Sequence, residues 1–373
     1  MTRAEAIIDL AAISSNVRTL LSKASAIGLA VVKADAYGHG LVPVARSALS
    51  AGAKWLGTAL LEEAVALREA GINAPTIAWL TPPSDDFDLA LRSRIDIAIP
   101  SLDHLAAVMA AAQRSGLTPR VHLEVDTGMS RGGALGEWRA LCERAAELAK
   151  AGNIEVMGIW SHLARADEPE HEFNDFQLRE FETSVALARS VGLNPKLIHL
   201  SNSAAALTKP NFNFDMIRLG ISMYGLSPDP ARVGESTELG IKPALALRAR
   251  LHLVKEVPAD SQVGYGGTAR TERATKLGVV AMGYADGIPR SASNLAGVLV
   301  GNKCAPIIGR VSMDQFVVDL GNDSVARAGD WVYLIGPNGS GGYTADSWAR
   351  ACGTINYEIV TRIGPRVPRT YLD

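Results

Sequence analysis

The chain has 373 residues, 47% hydrophobic and 20% charged, with a formal net charge of -2; this balance suits a globular protein with a substantial core and gives no electrostatic basis for binding nucleic acid or an anionic membrane. Three cysteines, Cys142, Cys304 and Cys352, lack CxxC spacing, which argues against a disulfide framework and against a zinc site, so no metal ligands are assigned. No apolar run approaches the ~20 residues that cross a bilayer, and no N-terminal stretch has the form of an export signal, so a cytoplasmic protein is expected.

Residues Ala4 to Leu10 alternate weakly and could add a strand to something distant in sequence. From Asp9 the period changes: Leu10, Ile13, Val17, Leu20 and Leu21 recur at helical spacing behind Asp9 as an N-cap. Leu29–Val32 is a short apolar run of the kind that forms a fully buried parallel strand, and it ends in Lys33. A lysine there either snorkels to water or, with its stem in an apolar setting, becomes a nucleophile towards carbonyls. Short apolar runs then follow at Trp55–Ala59, Pro75–Leu80, Ile95–Ile99, Arg120–Val125, Ile154–Trp160, Lys196–Leu200 and Asp215–Leu219. Helical stretches separate them, including Leu61–Ala70, Leu102–Arg114, Glu137–Lys150, Phe173–Val191 and Ser203–Thr208. Eight strands alternating with helices predict an α/β fold of the (β/α)8 barrel type over residues 10–240. An open doubly wound sheet is the alternative, but no GxGxxG follows the first strand.

Near residue 240 the pattern changes. Strand-like runs at Ala246–Val254, Thr275–Met282, Gly297–Val300, Pro306–Ile308, Phe316–Leu320 and Trp331–Ile335 are punctuated by glycines and by a PNGSGG turn at Pro337–Gly342. Helices are expected only at Thr344–Cys352 and Glu358–Ile363. Residues 241–373 are therefore read as a mostly β C-terminal domain, which residues 1–9 would join.

Barrel enzymes carry their chemistry at the C-terminal ends of the strands. Those ends deliver Lys33, Trp79, Arg131 within DTGMSRGG, His162 within SHLARAD, Asn202 and Ser203 within HLSNSAA, and Arg218 and Gly220 within DMIRLGISMYG. Cationic side chains and backbone N–H donors of this kind suit an anionic ligand. Ser203 at a helix start, with the amides of Gly220 and Ile221, has the form of a phosphate cup.

In order along the chain, VVKADAYGHG, DTGMSRGG, SHLARAD, IRLGISMYG, VGYGGTA, GYADGIPR, GRVSMDQ and INYE resemble the motifs of bacterial alanine racemases over nearly the whole length. The resemblance implies a pyridoxal 5'-phosphate enzyme that interconverts L- and D-alanine, supplies D-alanine for peptidoglycan, and works as a head-to-tail homodimer. It makes Lys33 the Schiff-base lysine and the base for D-alanine, and Tyr265 of the partner's C-terminal domain the base for L-alanine. Two bases on opposite faces are the simplest way to move an α-proton from one face to the other. A tyrosine, ordinarily titrating near 10, needs neighbours that favour its phenolate, which His162 linked to Arg218 would supply. Arg218 is expected to bond the cofactor's ring nitrogen without yielding a proton, which disfavours transamination-type side reactions. Tyr37, Ser203, Gly220, Ile221 and Tyr357 would hold the phosphate, with Trp79 and Asn202 also near the cofactor. Arg131 would bind the substrate carboxylate or the cofactor's O3' side, with the Met313 backbone of the partner nearby. Tyr284 and Tyr357 would narrow the entrance, with Asp167, Arg290, Arg310 and Ile355 behind them.

One position departs from the family. Glu124 stands where many members have a carbamylated lysine that buttresses the arginine corresponding to Arg131, and it is expected to provide that negative charge directly, with a water or anion bridging any gap. A cofactor-carrier protein on a related barrel would lack the second domain. A decarboxylase of the same fold class would carry a cysteine–aspartate pair where this chain has Met313–Asp314.

Overall fold

The computed structural model describes residues 2–337 and 342–373, so Asn338–Gly341 of the expected PNGSGG turn lie outside the described residues. Two compact units emerge, one containing Ser14–Ala36 and Leu41–Ile241, the other containing Met1–Ile13, Tyr37–Gly40 and Lys242–Asp373.

The first unit is an eight-stranded parallel barrel with helices between the strands. Its strands are Ile27–Val31, Trp55–Thr58, Thr76–Ala78, Asp96–Ile99, Arg120–Glu124, Glu155–Trp160, Leu197–His199 and Met216–Leu219. Each pairs with the next in sequence from Ile27–Val31 to Leu197–His199, and Met216–Leu219 pairs back onto Ile27–Val31. The remaining seam carries no ladder, yet Asp215 N donates to Ile198 O and Arg218 N to Ser201 O, both at 3.0 Å, which nearly closes the ring. The strands are buried on both faces, as parallel strands covered by helices must be. The chain-order pattern found these elements within one or two residues at each end. It did not give the helices Leu41–Ser50 and Phe87–Arg92, the first of which contains Pro43.

The barrel interior is packed by rings set into glycine gaps. A Cβ on Gly57 would collide with the Trp79 indole, and one on Gly158 would stand 2.5 Å from Nδ1 of His122 and 2.9 Å from the Leu197 carbonyl oxygen. His122 sits in a buried polar chain. Its Nε2 lies 3.3 Å from Asp96 Oδ2 and its Nδ1 3.1 Å from His199 Nε2, while Arg120 grips Asp96 through two bonds of 2.8 and 3.1 Å. Burial alone would raise the Asp96 carboxyl, but the hydrogen bonds from His122 and Arg120 outweigh it and hold the group below its ordinary range.

In the second unit the long strand Leu245–Val257 is the hub. It pairs antiparallel with Ala4–Asp9, with Trp331–Ile335 and with Thr275–Val280. Arg369–Leu372, a strand absent from the sequence reading, pairs parallel with Ala4–Asp9. The expected strand at Pro306–Ile308 is Lys303–Pro306, paired with Gly297–Val300, followed by a single bridge from Ile307 to Val318. Helices occupy Ala345–Cys352, capped by Thr344, and Asn356–Thr361.

Candidate active site

Lys33 follows the strand Ile27–Val31, and the backbone after it turns the unusual way. Ala34, Asp35, Ala36 and Tyr37 have φ of 54°, 53°, 53° and 53°, a left-handed helical turn without a glycine. Each such residue costs about 1–2 kcal/mol relative to the right-handed form. Ala36 N donates to Val32 O at 2.8 Å, and Asp35 Oδ1 accepts from Leu41 N at 2.8 Å. Lys33 itself is half-buried. Burial lowers its proton affinity first, and the Arg131 charge lowers it further; Glu63 opposes them, and Arg218 adds a smaller lowering effect. A depressed amine of this kind suits nucleophilic or base chemistry.

Arg218, only 3% exposed, comes from the strand Met216–Leu219. Its Nη1 donates to His199 O at 3.1 Å, and the two hydrogens of Nη2 are shared among Ser161 O, Leu200 O and His162 Nδ1 at 2.9, 2.9 and 3.0 Å. The guanidinium also lies 5.3 Å over the Trp160 ring. Burial pulls its pKa down to about 10, opposed by Glu124 and reinforced by Arg131. Asp215, the acid a strand-end arginine ordinarily takes, instead accepts from Ile198 N at 2.8 Å. Because a guanidinium can only donate, Nδ1 of His162 accepts and its Nε2 carries the hydrogen. Burial, then the charges of Arg218, Arg131 and Lys33, hold His162 well below the usual histidine range, so it is neutral.

The helix Ser203–Thr208 is capped by Asn202, whose Oδ1 accepts from Ala205 N at 3.1 Å. The cap is thus Asn202, which frees the Ser203 side chain for other contacts. Ser203 Oγ accepts from Gly220 N at 2.9 Å and from Ser222 N at 3.5 Å, which leaves its hydroxyl hydrogen to donate outward. The amides of Ser203, Ala204 and Ile221 have no acceptor among the described residues.

Arg131 is exposed on a turn shaped by Asp126, whose Oδ1 accepts from Gly128 N at 2.9 Å and Ser130 N at 3.2 Å. Glu124 is 9% exposed and packs against Gly132. Burial pushes its carboxyl up to about 7; Arg218 and Arg131 pull it down and Asp126 adds to the rise. No ion pair joins Glu124 to Arg131 among the described residues. Trp79 lies 6.0 Å from Trp160, and the indole N–H groups of both are buried without a partner among the described residues. Asp167 is exposed beyond the strand Glu155–Trp160.

The remaining site residues lie in the second unit. The rings of Tyr37 and Tyr357 are 6.2 Å apart, and burial pushes the Tyr37 phenol up, so it is a neutral donor. Tyr265 sits 71% exposed on a turn between the two-residue strands Gln262–Val263 and Ala269–Arg270, beside Arg310. Tyr284 N donates to Ser312 O at 3.0 Å and Ala285 N to Met313 O at 2.9 Å, which fixes the Tyr284 loop to the Met313 segment. Asp314 accepts from Arg366 at 2.6 Å. Arg290 and Ile355 are exposed. The sequence reading missed Asp286, which is fully buried and gripped by Arg3 at 2.5 Å and by Arg366 at 3.2 Å, while its Oδ2 accepts from Gly283 N at 3.0 Å. An acid inside a glycine-flanked ADG turn was the available signal. Glu63 was missed as well, although a glutamate three residues into a helix is a recognisable capping position.

A parallel barrel that gathers a lysine, two arginines and a neutral histidine at the C-terminal ends of its strands is the framework of a barrel enzyme. Two family profiles match the chain, "Alanine racemase, N-terminal domain" over residues 8–228 and "Alanine racemase, C-terminal domain" over residues 244–371. A protein of Frankia casuarinae named alanine racemase is 50% identical over 99% of this chain and 96% of its own length. The crystal structure of alanine racemase from Streptomyces lavendulae superposes with a TM-score of 0.98 at 47% identity, covering 100% of this chain and 98% of that one. That of Bartonella henselae, described with covalently bound pyridoxal phosphate, gives 0.89 at 30% identity with 100% coverage of both chains. The chain belongs to the alanine racemase family.

Proposed function

We propose that this chain interconverts L- and D-alanine with pyridoxal 5'-phosphate held at the strand ends of the barrel. The observation that carries the reading is the set of donors left over there. Nε of the buried Arg218 makes no hydrogen bond among the described residues, the Ser203 hydroxyl hydrogen is available, and three neighbouring amides have no acceptor. One ring-nitrogen acceptor and one phosphate would satisfy them, so the residues fit the group. Tyr37, whose phenol burial keeps protonated, and Tyr357 are assigned to the phosphate.

When bound, pyridoxal phosphate supplies an electron-withdrawing ring that makes the substrate's α-proton removable. Lys33 holds the cofactor and then takes or returns the α-proton on one face, a role its depressed proton affinity favours. Arg218 would offer its spare Nε–H to the ring nitrogen and keep its proton, which would moderate the electron sink and disfavour transamination. Arg131 binds the substrate carboxylate, with Glu124 behind it. On the opposite face we assign the second base to Tyr265 of another copy of the chain, with the Met313 backbone and the Tyr284 loop. Neutral His162 presents Nε2–H to the phenolate oxygen and so favours its ionised form. The 71% exposure of Tyr265 within one copy supports a homodimeric enzyme.

The same reading divides the chain into a barrel over residues 10–240 and a second domain over 241–373 that residues 1–9 serve; the pairing of Ala4–Ile8 with Leu245–Ala249 supports it. It also assigns the chain to the cytoplasm, where its three free cysteines suit a reducing compartment and its D-alanine would supply peptidoglycan.

The test is proton–deuterium exchange at the α-carbon of each enantiomer in wild type, Lys33→Ala and Tyr265→Phe. Tyr265→Phe should suppress exchange from L-alanine, and Lys33→Ala should abolish exchange from D-alanine. Untouched exchange from L-alanine in Tyr265→Phe would refute the two-base assignment.

A further inference from the structure

We propose that Glu63 is a positioning residue for Lys33, acting as a clasp that holds the turn after the lysine in its left-handed form. The proposal rests on the reading above, in which Lys33 captures pyridoxal phosphate.

Four consecutive non-glycine residues with φ near +53° will not hold that form unaided. Something outside the turn must select it. Oε1 of Glu63 accepts from Ala34 N at 2.6 Å, the amide immediately after Lys33. Oε2 accepts from Ala59 N at 2.9 Å and from Leu60 N at 3.1 Å. The bond to Leu60 is the ordinary reach of a glutamate in the first turn of Leu61–Glu69 back to the residue before the helix. The bond to Ala34 is not part of that cap. It crosses from the end of one barrel strand to the end of its neighbour, just beyond the last rung, where Val32 N donates to Gly57 O at 2.8 Å. One carboxylate thus ties three amides from two strand ends, and no lysine or arginine pairs with it among the described residues.

The placement also bears on the amine. Arg131, Arg218 and neutral His162 face Lys33, and Glu63 is the carboxylate that opposes the two cations. The clasp therefore sets both where the lysine starts and which charge lies behind it.

The experiment compares the full-length protein, stripped of cofactor, with Glu63→Gln, Ala34→Gly, the double variant and Lys33→Ala. The rate of covalent capture of pyridoxal 5'-phosphate, with loss of water, is followed by absorbance. Amide hydrogen exchange at residue 34 is measured without any cofactor. Glu63→Gln should slow capture and speed exchange by about tenfold each, the worth of one charge-assisted hydrogen bond. Ala34→Gly in that background should recover most of the capture rate, because glycine adopts the positive φ without strain. A lost helix cap would not be repaired by a change at residue 34. Wild-type capture by Glu63→Gln, or no recovery in the double variant, would overturn the proposal. Should wild type itself capture no cofactor, or Lys33→Ala capture it covalently, the cofactor reading fails instead, and exchange at residue 34 alone decides the clasp.

Discussion

Replacing Glu124 with glutamine should stabilise the protein, and only above a definable pH. The carboxyl is 9% exposed and its pKa in the fold is pushed up to about 7 from an ordinary 4.5, chiefly by burial. Between those two values the native state holds a proton that the unfolded chain has already released, so stability falls as pH rises through that window. At ~1.4 kcal/mol per pH unit, the full penalty above pH 7 comes to about 3 kcal/mol. Glutamine keeps the shape of the protonated acid and cannot ionise. Wild type and Glu124→Gln should therefore unfold alike near pH 4.5 and diverge by about 3 kcal/mol at pH 8, with the variant the more stable. Urea denaturation followed by tryptophan fluorescence at several pH values reads this directly. A difference that does not grow with pH, or a variant less stable at pH 8, would refute the burial argument. The same ionisation predicts a kinetic companion: the KM for alanine should fall as pH rises through 7 in wild type, as charge builds behind Arg131, and this component should be missing in Glu124→Gln.

Three further expectations follow from the interior of the barrel. Arg218→Lys leaves several of the four acceptors around His199, Leu200, Ser161 and His162 unsatisfied and should cost ~3 kcal/mol or more in a denaturation experiment, besides abolishing racemisation. Asp96→Asn breaks the buried grip of Arg120 and should cost ~3–5 kcal/mol at pH 7. Because the Asp96 carboxyl is held below its ordinary range, its contribution is present above the unfolded value of 3.8 and is lost as pH falls through the folded one, so the deficit should shrink in acid. Gly158→Ala forces a methyl group against the His122 ring and the Leu197 carbonyl and should lower the denaturation midpoint by an amount worth ~1–3 kcal/mol.

The barrel was legible because its strands are buried on both faces, so each reads as an unbroken apolar run between amphipathic helices. The helix Phe87–Arg92 was harder, since six residues carry too little periodicity to register. In the second unit the hub strand and the helix expected at Thr344–Cys352 were readable, whereas Arg369–Leu372 is mostly exposed and alternates nothing. The site residues were legible as chemical types at strand ends. Their connections were not, because pairs such as Arg218 with His162 meet only when distant strands close the ring. The left-handed turn was the least readable feature. Alanine, aspartate and tyrosine do not announce positive φ, and the residue that holds it lies 29 positions away.

The glycine gaps at residues 57 and 158 have a consequence for how such barrels drift. Each gap and the ring that fills it share one fixed volume, so neither partner has an independent fitness. Enlarging residue 57 is tolerable only alongside a smaller group at Trp79, whereas a side chain at residue 158 also meets the Leu197 backbone carbonyl at 2.9 Å, which no change at His122 relieves. Random libraries of this chain should therefore return viable replacements at residue 57 only as matched pairs with residue 79, and should retain glycine at residue 158.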